Sequence, residues 1–235
     1  MQEQNRLLAE LSQHDYTELL DCLTPVDLPL GHIIFEPGER IEKIYFPIQT
    51  MVSLVSVMRD GATTEISLVG KEGLIGLPAI LGGLYSTNQA IVQIYSPSGI
   101  YETDVEVVRQ AFLRPGPFQD VIFRYIQARL MHVSQIAACN RRHMVEERLA
   151  RWLLSAQDSI GSDDLPLTQE FIANMLGIRR SGVTVAAGAL QKAGMIRYSR
   201  GKIKILDRAA LKETTCECYQ LIRSEFKRLL EIDRG

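Results

Sequence analysis

Between Leu167 and Leu206 the chain reads LTQEFIANMLGIRRSGVTVAAGALQKAGMIRYSRGKIKIL, and its polar side chains are of the kinds that bind phosphates and base edges. Arg179, Arg180, Ser181 and Thr184 fall within six positions. A guanidinium can donate two parallel hydrogen bonds to guanine O6 and N7, and hydroxyls bond to bases or phosphates. Lys192, Arg200 and Lys202 extend the same surface. From Phe171 to Leu206 there are seven Lys or Arg and no Asp or Glu. DNA backbone phosphates attract such a surface with a salt-dependent affinity.

The surrounding residues predict what holds these groups. Thr168 can cap a first helix with its hydroxyl. Phe171, Ile172 and Met175 give that helix an apolar face, Ala173 lets another helix pack closely, and Gly177 permits the left-handed turn that ends it. A second helix is expected from about Arg180 to Ala193, closed by Gly194. Its Val183, Ala187 and Leu190 face inward at i, i+4 and i+7. Arg179, Arg180, Ser181 and Thr184 are left outside that stripe, around the N-terminal end. This is a helix-turn-helix, which sets the first turn of its second helix against base edges in the major groove. Tyr198 to Lys202 reads as the tip of a basic hairpin, a wing. An ordinary helical hairpin with a solvated basic face would give the same spacing. The acid-free run and the following hairpin favour DNA.

A chain of 235 residues with 46% hydrophobic content can bury one large core or two ordinary ones. The net charge of −2 conceals an asymmetry, because residues 1–110 carry fifteen acids against six Lys or Arg. A basic DNA-facing module is thus joined to an acidic one, which implies a division of labour. No stretch approaches the roughly 18 apolar residues of a membrane span, and the N-terminus lacks a signal pattern, so a cytoplasmic protein without a membrane partner is expected. The four cysteines, Cys22, Cys139, Cys216 and Cys218, are few and scattered, as in a reducing compartment. The C-x-C spacing of Cys216 and Cys218, with no other Cys or His close in the chain, reads as two ordinary helix cysteines, and no metal site is expected.

In chain order, residues 5 to 23 read as a helical lead-in ended by Thr24-Pro25. From Val26 to about Val108, short runs rich in Ile, Val, Tyr and Thr alternate with Gly, Pro and Asp turns, and Asp60-Gly61 signals a hairpin. This is the pattern of an all-β sandwich or barrel. From Pro117 to Asn140 the period becomes helical. Phe123, Ile126, Leu130, Val133 and Ala137 make a heptad seam, while Val121, Ile122, Tyr125 and Ile136 populate a neighbouring face. One face can pack on the β domain and the other on a second copy; the alternative is a helix buried within a monomer. Val145 to Ser159 reads as a further amphipathic helix. Residues 208 to 232 read as one more.

A β-rich N-terminal domain, a long helix and a winged helix-turn-helix together resemble the Crp/Fnr family of bacterial transcription regulators. The resemblance spans about residues 15 to 207. Its main carriers are Gly31-His32-Ile33-Ile34-Phe35-Glu36-Pro37-Gly38-Glu39, similar to the family's G-x-x-L-x-x-x-G-E turn, and the LTQEFIANMLGIRRSGVT segment. It implies an α+β fold: an N-terminal β-roll, that is, a cyclic-nucleotide-binding-like jelly roll, with a long dimerisation helix in residues 1–140, and a C-terminal winged helix-turn-helix in residues 141–235. It also implies a homodimer on a near-palindromic operator in double-stranded DNA, an effector between roll and long helix, and RNA polymerase as a further partner of an activator. By the same resemblance Arg180 matches the leading recognition-helix arginine, whereas Ser181 stands where Glu is frequent and Val185 where a further Arg is found. Arg179 and Thr184 are positioned to compensate, so the operator differs from that of the cyclic-AMP receptor.

The effector cassette departs further. Gly73-Leu74-Ile75-Gly76-Leu77 aligns with the family's G-E-L-G-like turn and Asn88-Gln89-Ala90 with its R-S-A segment. The ribose-binding Glu is then Leu74 and the phosphate-binding Arg is Asn88, with Gln89 beside it. On the long helix Val133 and Ser134 stand where hydroxyls meet the base, and only Ser134 has one. A buried phosphate without a cation is costly, so no tight cyclic-AMP binding is expected, the effector is unidentified and no cofactor is predicted. Cys22 alone does not make an iron–sulfur cluster, and His14, His32, His132 and His143 are scattered like structural histidines rather than haem ligands.

The leading expectation is therefore a dimeric sequence-specific transcription regulator. One alternative is a thiol-based redox regulator using Cys139 or the Cys216/Cys218 pair. Another is a ligand-binding or protein-interaction module that does not act on DNA. No nucleophile–base motif, dinucleotide fingerprint or P-loop spacing is present, so an enzyme is not expected.

Overall fold

Strand-forming runs broken by turn glycines build two antiparallel sheets that enclose a shared core. The computed structural model describes residues 5–230. Two short helices, α1 (Arg6–Ala9) and α2 (Gln13–Leu20), precede the sheets. The lead-in expected as a single helix is divided because Ser12 caps α2, its Oγ accepting from the Asp15 amide at 3.1 Å. Thr24 and Pro25, expected only to end a helix, open β1 (Thr24–Val26). β1 lies at a sheet edge, where proline's missing N–H is tolerated.

The remaining strands are β2 (Ile33–Phe35), β3 (Lys43–Pro47), β4 (Met51–Val57), β5 (Thr63–Val69), β6 (Gln89–Ile94) and β7 (Ile100–Asp104), with the one-turn helix α3 (Leu77–Ile80) between β5 and β6. One sheet has the order β1-β7-β3 and the other β2-β6-β4-β5. Asp60-Gly61 turns β4 into β5 as expected, Gly61 adopting φ +83°. Ile44 and Phe46 from one sheet meet Val52, Val69 and Val92 from the other in the core, and Leu7, Leu8 and Leu11 close it from the N-terminal side.

After α4 (Val105–Leu113) comes α5 (Pro117–Arg142), with proline at its start, where no N–H is needed. Phe118, Val121, Ile122 and Tyr125 of α5 are buried against the roll. Much of its other face is open: Phe123, Leu130 and Val133 are 52%, 67% and 41% exposed and Ala137 is exposed, while Ile126 is half-buried against the roll core.

A second core begins with α6 (Val145–Ile160) and continues through β8 (Asp164–Leu165), α7 (Gln169–Leu176), α8 (Arg180–Lys192), β9 (Ile196–Ser199), β10 (Lys202–Ile205) and α9 (Arg208–Thr214). The strands pair in the order β8-β10-β9. The last helix, α10 (Cys218–Leu230), is separate from α9. The single C-terminal helix expected from the sequence is interrupted at Thr215, whose extended backbone (φ −70°, ψ 153°) turns the chain back onto α5. Tyr219 of α10 belongs to the second core and Leu230 to the first, so this helix straps the two together.

The two cores also meet directly. Met51, Leu68 and Ile94 of the roll pack with Trp152 and Met175. At their centre Glu65 of β5 is buried, accepting from the Trp152 indole N–H at 2.9 Å and from the Ser53 hydroxyl. Burial pushes this carboxyl up to about 7, against the opposing pull of those two hydrogen bonds and of Arg151. A carboxyl whose pKa is raised by folding stabilises the fold below its unfolded value near 4.5, and the contribution is lost as pH rises through about 7. The full effect is about 3 kcal/mol at roughly 1.4 kcal/mol per pKa unit. Gln can accept from Trp152 through Oε1 and donate to the Ser53 hydroxyl through Nε2, without the proton equilibrium. Thermal unfolding from pH 5 to 8 should therefore show Glu65→Gln gaining on the wild type as pH rises; parallel profiles would contradict an ionisable Glu65 at this site.

Candidate nucleic-acid interface

The first helix of the pair starts where Thr168 predicts, its Oγ1 accepting from the Phe171 amide at 3.2 Å. Gly177 ends it in the left-handed region at φ +62°. Ile172, Ala173, Met175 and Leu176 are buried, as are Val183, Ala186, Ala187 and Leu190 of α8. Burying that stripe forces the other side of α8 outward. Arg179, Arg180, Ser181 and Thr184 are all exposed at its N-terminal end, and Lys192 is exposed at its C-terminal end. Val185, which stands where the family places a further arginine, is 67% exposed. The free amides of the first helical turn add partial positive charge on the same side.

Gln169 is a residue the sequence analysis passed over. Its Oε1 accepts from Arg180 Nε at 3.4 Å and from Thr184 Oγ1 at 3.5 Å. It thereby steadies Arg180, while the nearer acceptor of the Thr184 hydroxyl is the Arg180 carbonyl at 3.2 Å. The signal lay in its place at the first position of α7, but no spacing rule connects that position to α8.

The wing is a two-residue hairpin. Arg200 and Gly201 form its tip at φ +48° and +77°, the backbone of a type I′ turn. Arg200 and Lys202 are exposed, with Ile203 and Ile205 buried beneath. Lys204 is paired with Asp164 at 3.6 Å, so the unpaired basic groups lie toward the tip.

The effector candidates each have their own surroundings. Leu74 is buried, and its backbone N–H and C=O both bond to the Tyr125 hydroxyl, at 3.1 and 3.2 Å. A Cβ on Gly73 would lie 2.2 Å from that hydroxyl, so Tyr125 of α5 fills the space against the turn. Asn88 turns to Thr87 at 3.2 Å, Gln89 donates to Glu36 at 3.1 Å, and Ser134 is exposed on α5. A cavity of about 360 Å³ lies elsewhere, between the two cores, lined by Glu65, Ser67, His132, Arg151, Trp152 and Arg223 among others. Burial holds His132 well below its ordinary value, reinforced by Arg129 and Arg151, so it is neutral there.

The cysteines read as ordinary helix residues are instead brought into a cluster. Cys139 and His143 lie one turn apart at the end of α5, while Cys216 and Cys218 flank the start of α10. Cys139 Sγ is 3.6 Å from Cys216 Sγ, and Cys218 Sγ is 3.5 Å from His143 Nδ1. The C-x-C spacing gave half of this group, but the other half is remote in sequence. Cys22 stands apart and exposed.

The comparisons with known proteins agree with this architecture. Residues 25–114 match the cyclic nucleotide-binding domain family and residues 147–214 the Crp-like helix-turn-helix domain family, which between them cover more than half of the chain. The global nitrogen regulator of Synechococcus elongatus is 22% identical over 190 residues, covering 78% of this chain and 86% of the relative. The CRP-like cAMP-activated global transcriptional regulator of Mycobacterium tuberculosis is 25% identical over 194 residues, covering 79% and 85%. Among solved structures, FixK2 from Bradyrhizobium japonicum superposes with a TM-score of 0.70 at 17% identity, covering 83% of this chain and 98% of that one. A CRP-family regulator from Thermus thermophilus gives 0.67 at 19% identity, covering 80% and 95%. With a cyclic-nucleotide-binding-type roll followed by a Crp-like helix-turn-helix, the chain belongs to the Crp/Fnr family of DNA-binding transcription regulators.

Proposed function

We propose that this regulator acts as a homodimer, reads a near-palindromic operator through the first turn of α8, and is not controlled by cyclic AMP. The observation that carries the reading is the patch of Arg179, Arg180, Ser181 and Thr184, exposed together on an acid-free segment and steadied by Gln169. Arg180 is the base-reading residue, donating to a guanine in each half-site. Lys192, Arg200 and Lys202 hold phosphates and set the register. Measured by gel shift against a selected operator, Arg180→Ala should weaken binding about 10- to 100-fold and relax one base position. Lys202→Ala should weaken all sequences alike and lower the salt dependence. Unchanged binding by Arg180→Ala would favour a module that contacts protein instead.

The dimer reading rests on the open face of α5. Phe123, Ile126, Leu130, Val133 and Ala137 repeat with the coiled-coil period; Leu130, Val133 and Ala137 are exposed, Phe123 is exposed beside Phe112 of α4, and Ile126 is half-buried at the edge of the roll core. Two helices in contact along that seam would place two copies of α8 to read two half-sites. In sedimentation, Leu130→Glu should convert the dimer to a folded monomer; a variant that stays dimeric places the interface elsewhere.

The reading on cyclic AMP rests on Leu74, which offers no carboxylate to a ribose, on Asn88, which offers no cation to a phosphate, and on Tyr125 filling the space beside Gly73. The cAMP-activated relative from Mycobacterium tuberculosis makes the contrast testable. Calorimetric titration with cyclic AMP should give no heat and no thermal stabilisation. Micromolar binding would overturn the reading.

A further inference from the structure

Cys139, His143, Cys216 and Cys218 each offer one ligand atom, and all four atoms lie within 4.8 Å of one another. An ion with sulfur ligands at about 2.3 Å in a tetrahedron spaces them roughly 3.8 Å apart, and a nitrogen ligand slightly closer. The observed separations are 3.6 Å between Cys139 and Cys216 and 3.5 Å between Cys218 and His143. The three cysteines are buried, with exposures of 0%, 5% and 0%. They come from two remote segments, and no disulfide joins them.

The surroundings complete the set. His143 presents Nδ1 to the thiols, while its Nε2 lies 3.2 Å from the Glu217 carboxylate, the arrangement that fixes the tautomer and orientation of a metal-ligating imidazole. Gln135 Nε2 donates to Cys218 Sγ at 3.1 Å, as an outer group does to a thiolate ligand. Three thiolates and a neutral imidazole around a divalent ion carry a net charge of −1. The buried guanidiniums of Arg148 and Arg151 lie within electrostatic reach of Cys139 to offset it.

We propose that these four residues bind one zinc ion in a closed Cys3His site that fastens the start of α10 to the end of α5. Three sulfurs and one nitrogen in a tetrahedron suit zinc, and a site with four protein ligands and no open position is structural rather than catalytic. A polynuclear iron–sulfur cluster spreads its thiolates over several iron atoms, which four ligand atoms this close together do not accommodate. Binding is a substitution without redox change: zinc enters, three thiols release three protons, and three zinc–sulfur bonds and one zinc–nitrogen bond form. The ion would lock the junction where the long helix of the roll hands over to the DNA-binding domain. The site is independent of how the protein reads DNA or what its effector is.

The test uses the full chain, purified under reducing conditions without chelator. Elemental analysis should find one zinc per chain. Replacing zinc by cobalt should give the intense visible bands of a tetrahedral thiolate site. Those bands should vanish in Cys139→Ser with Cys216→Ser, weaken or shift in His143→Asn, and persist unchanged in Cys22→Ser. In the wild-type chain, alkylation followed by mass spectrometry should label only Cys22 when zinc is bound and all four cysteines after chelation. This second readout holds even where a serine variant fails to fold. Substoichiometric zinc with no cobalt bands would overturn the proposal. So would iron–sulfur absorbance in the purified protein, or a Cys139–Cys216 disulfide in freshly lysed cells, which would assign the cluster to redox chemistry.

Discussion

Glu65 holds a carboxyl away from water at the meeting point of two cores, and the relative placement of the DNA-binding domain depends on how that group is satisfied. Its two oxygens are taken by Ser53 from within the roll and by Trp152 from α6. A buried polar group that loses a partner carries the full cost of its desolvation. Sliding α6 over the roll would separate Trp152 from Glu65 and leave the carboxyl short of a partner. Arg148 reinforces the junction, donating to Asn140 at the end of α5 and to the Leu176 carbonyl at the end of α7. Arg208, Asp158 and Tyr219 tie α9, α6 and α10 into one network, and Asp158 and Tyr219 line the same cavity as Glu65 and Trp152. The domains are joined by directional bonds as well as apolar area, and directional bonds favour a small number of discrete arrangements.

The charge asymmetry of the chain follows the same division. Acidic residues are spread over the roll, while the acid-free segment is folded so that its apolar stripe is buried and its basic edge is exposed. Long-range attraction to phosphates belongs to the second half and leaves the first half free to meet other chemistry.

Much of this architecture was legible in the chain. The period of α7 and α8, the Thr168 cap, the stop at Gly177 and the Asp60-Gly61 hairpin follow from local rules, and the structure reproduces each. The exposed residues of α8 were legible because a stripe that must be buried dictates what remains outside. Local rules failed where the determining contact is remote. Thr215 divides the last helix, where a continuous amphipathic pattern concealed a change of direction onto α5; the division of the first helix at Ser12, by contrast, is a local cap. Gln169 and the Cys139–His143–Cys216–Cys218 group are three-dimensional coincidences of distant segments, and a one-dimensional reading has no term for them. The resemblance aligned Leu74 and Asn88 with the family's effector cassette but gave no account of Tyr125 against that turn.

The strap formed by α10 bears on how the protein is made. Leu230 enters the same core as Leu7 and Leu8, so the first and last described helices share one interior. A chain emerging from the ribosome exposes its N-terminal end first. The roll can pair its strands early, but the side of α5 that receives α10 stays bare until the DNA-binding domain has been synthesised and has passed it. During that interval the core of the roll lacks Leu230 and the side chains of Phe123 and Leu130 stay exposed, and two neighbouring nascent chains could bury these groups against each other. The order of the elements along the chain thus makes the last turn of α10 the seal on the roll.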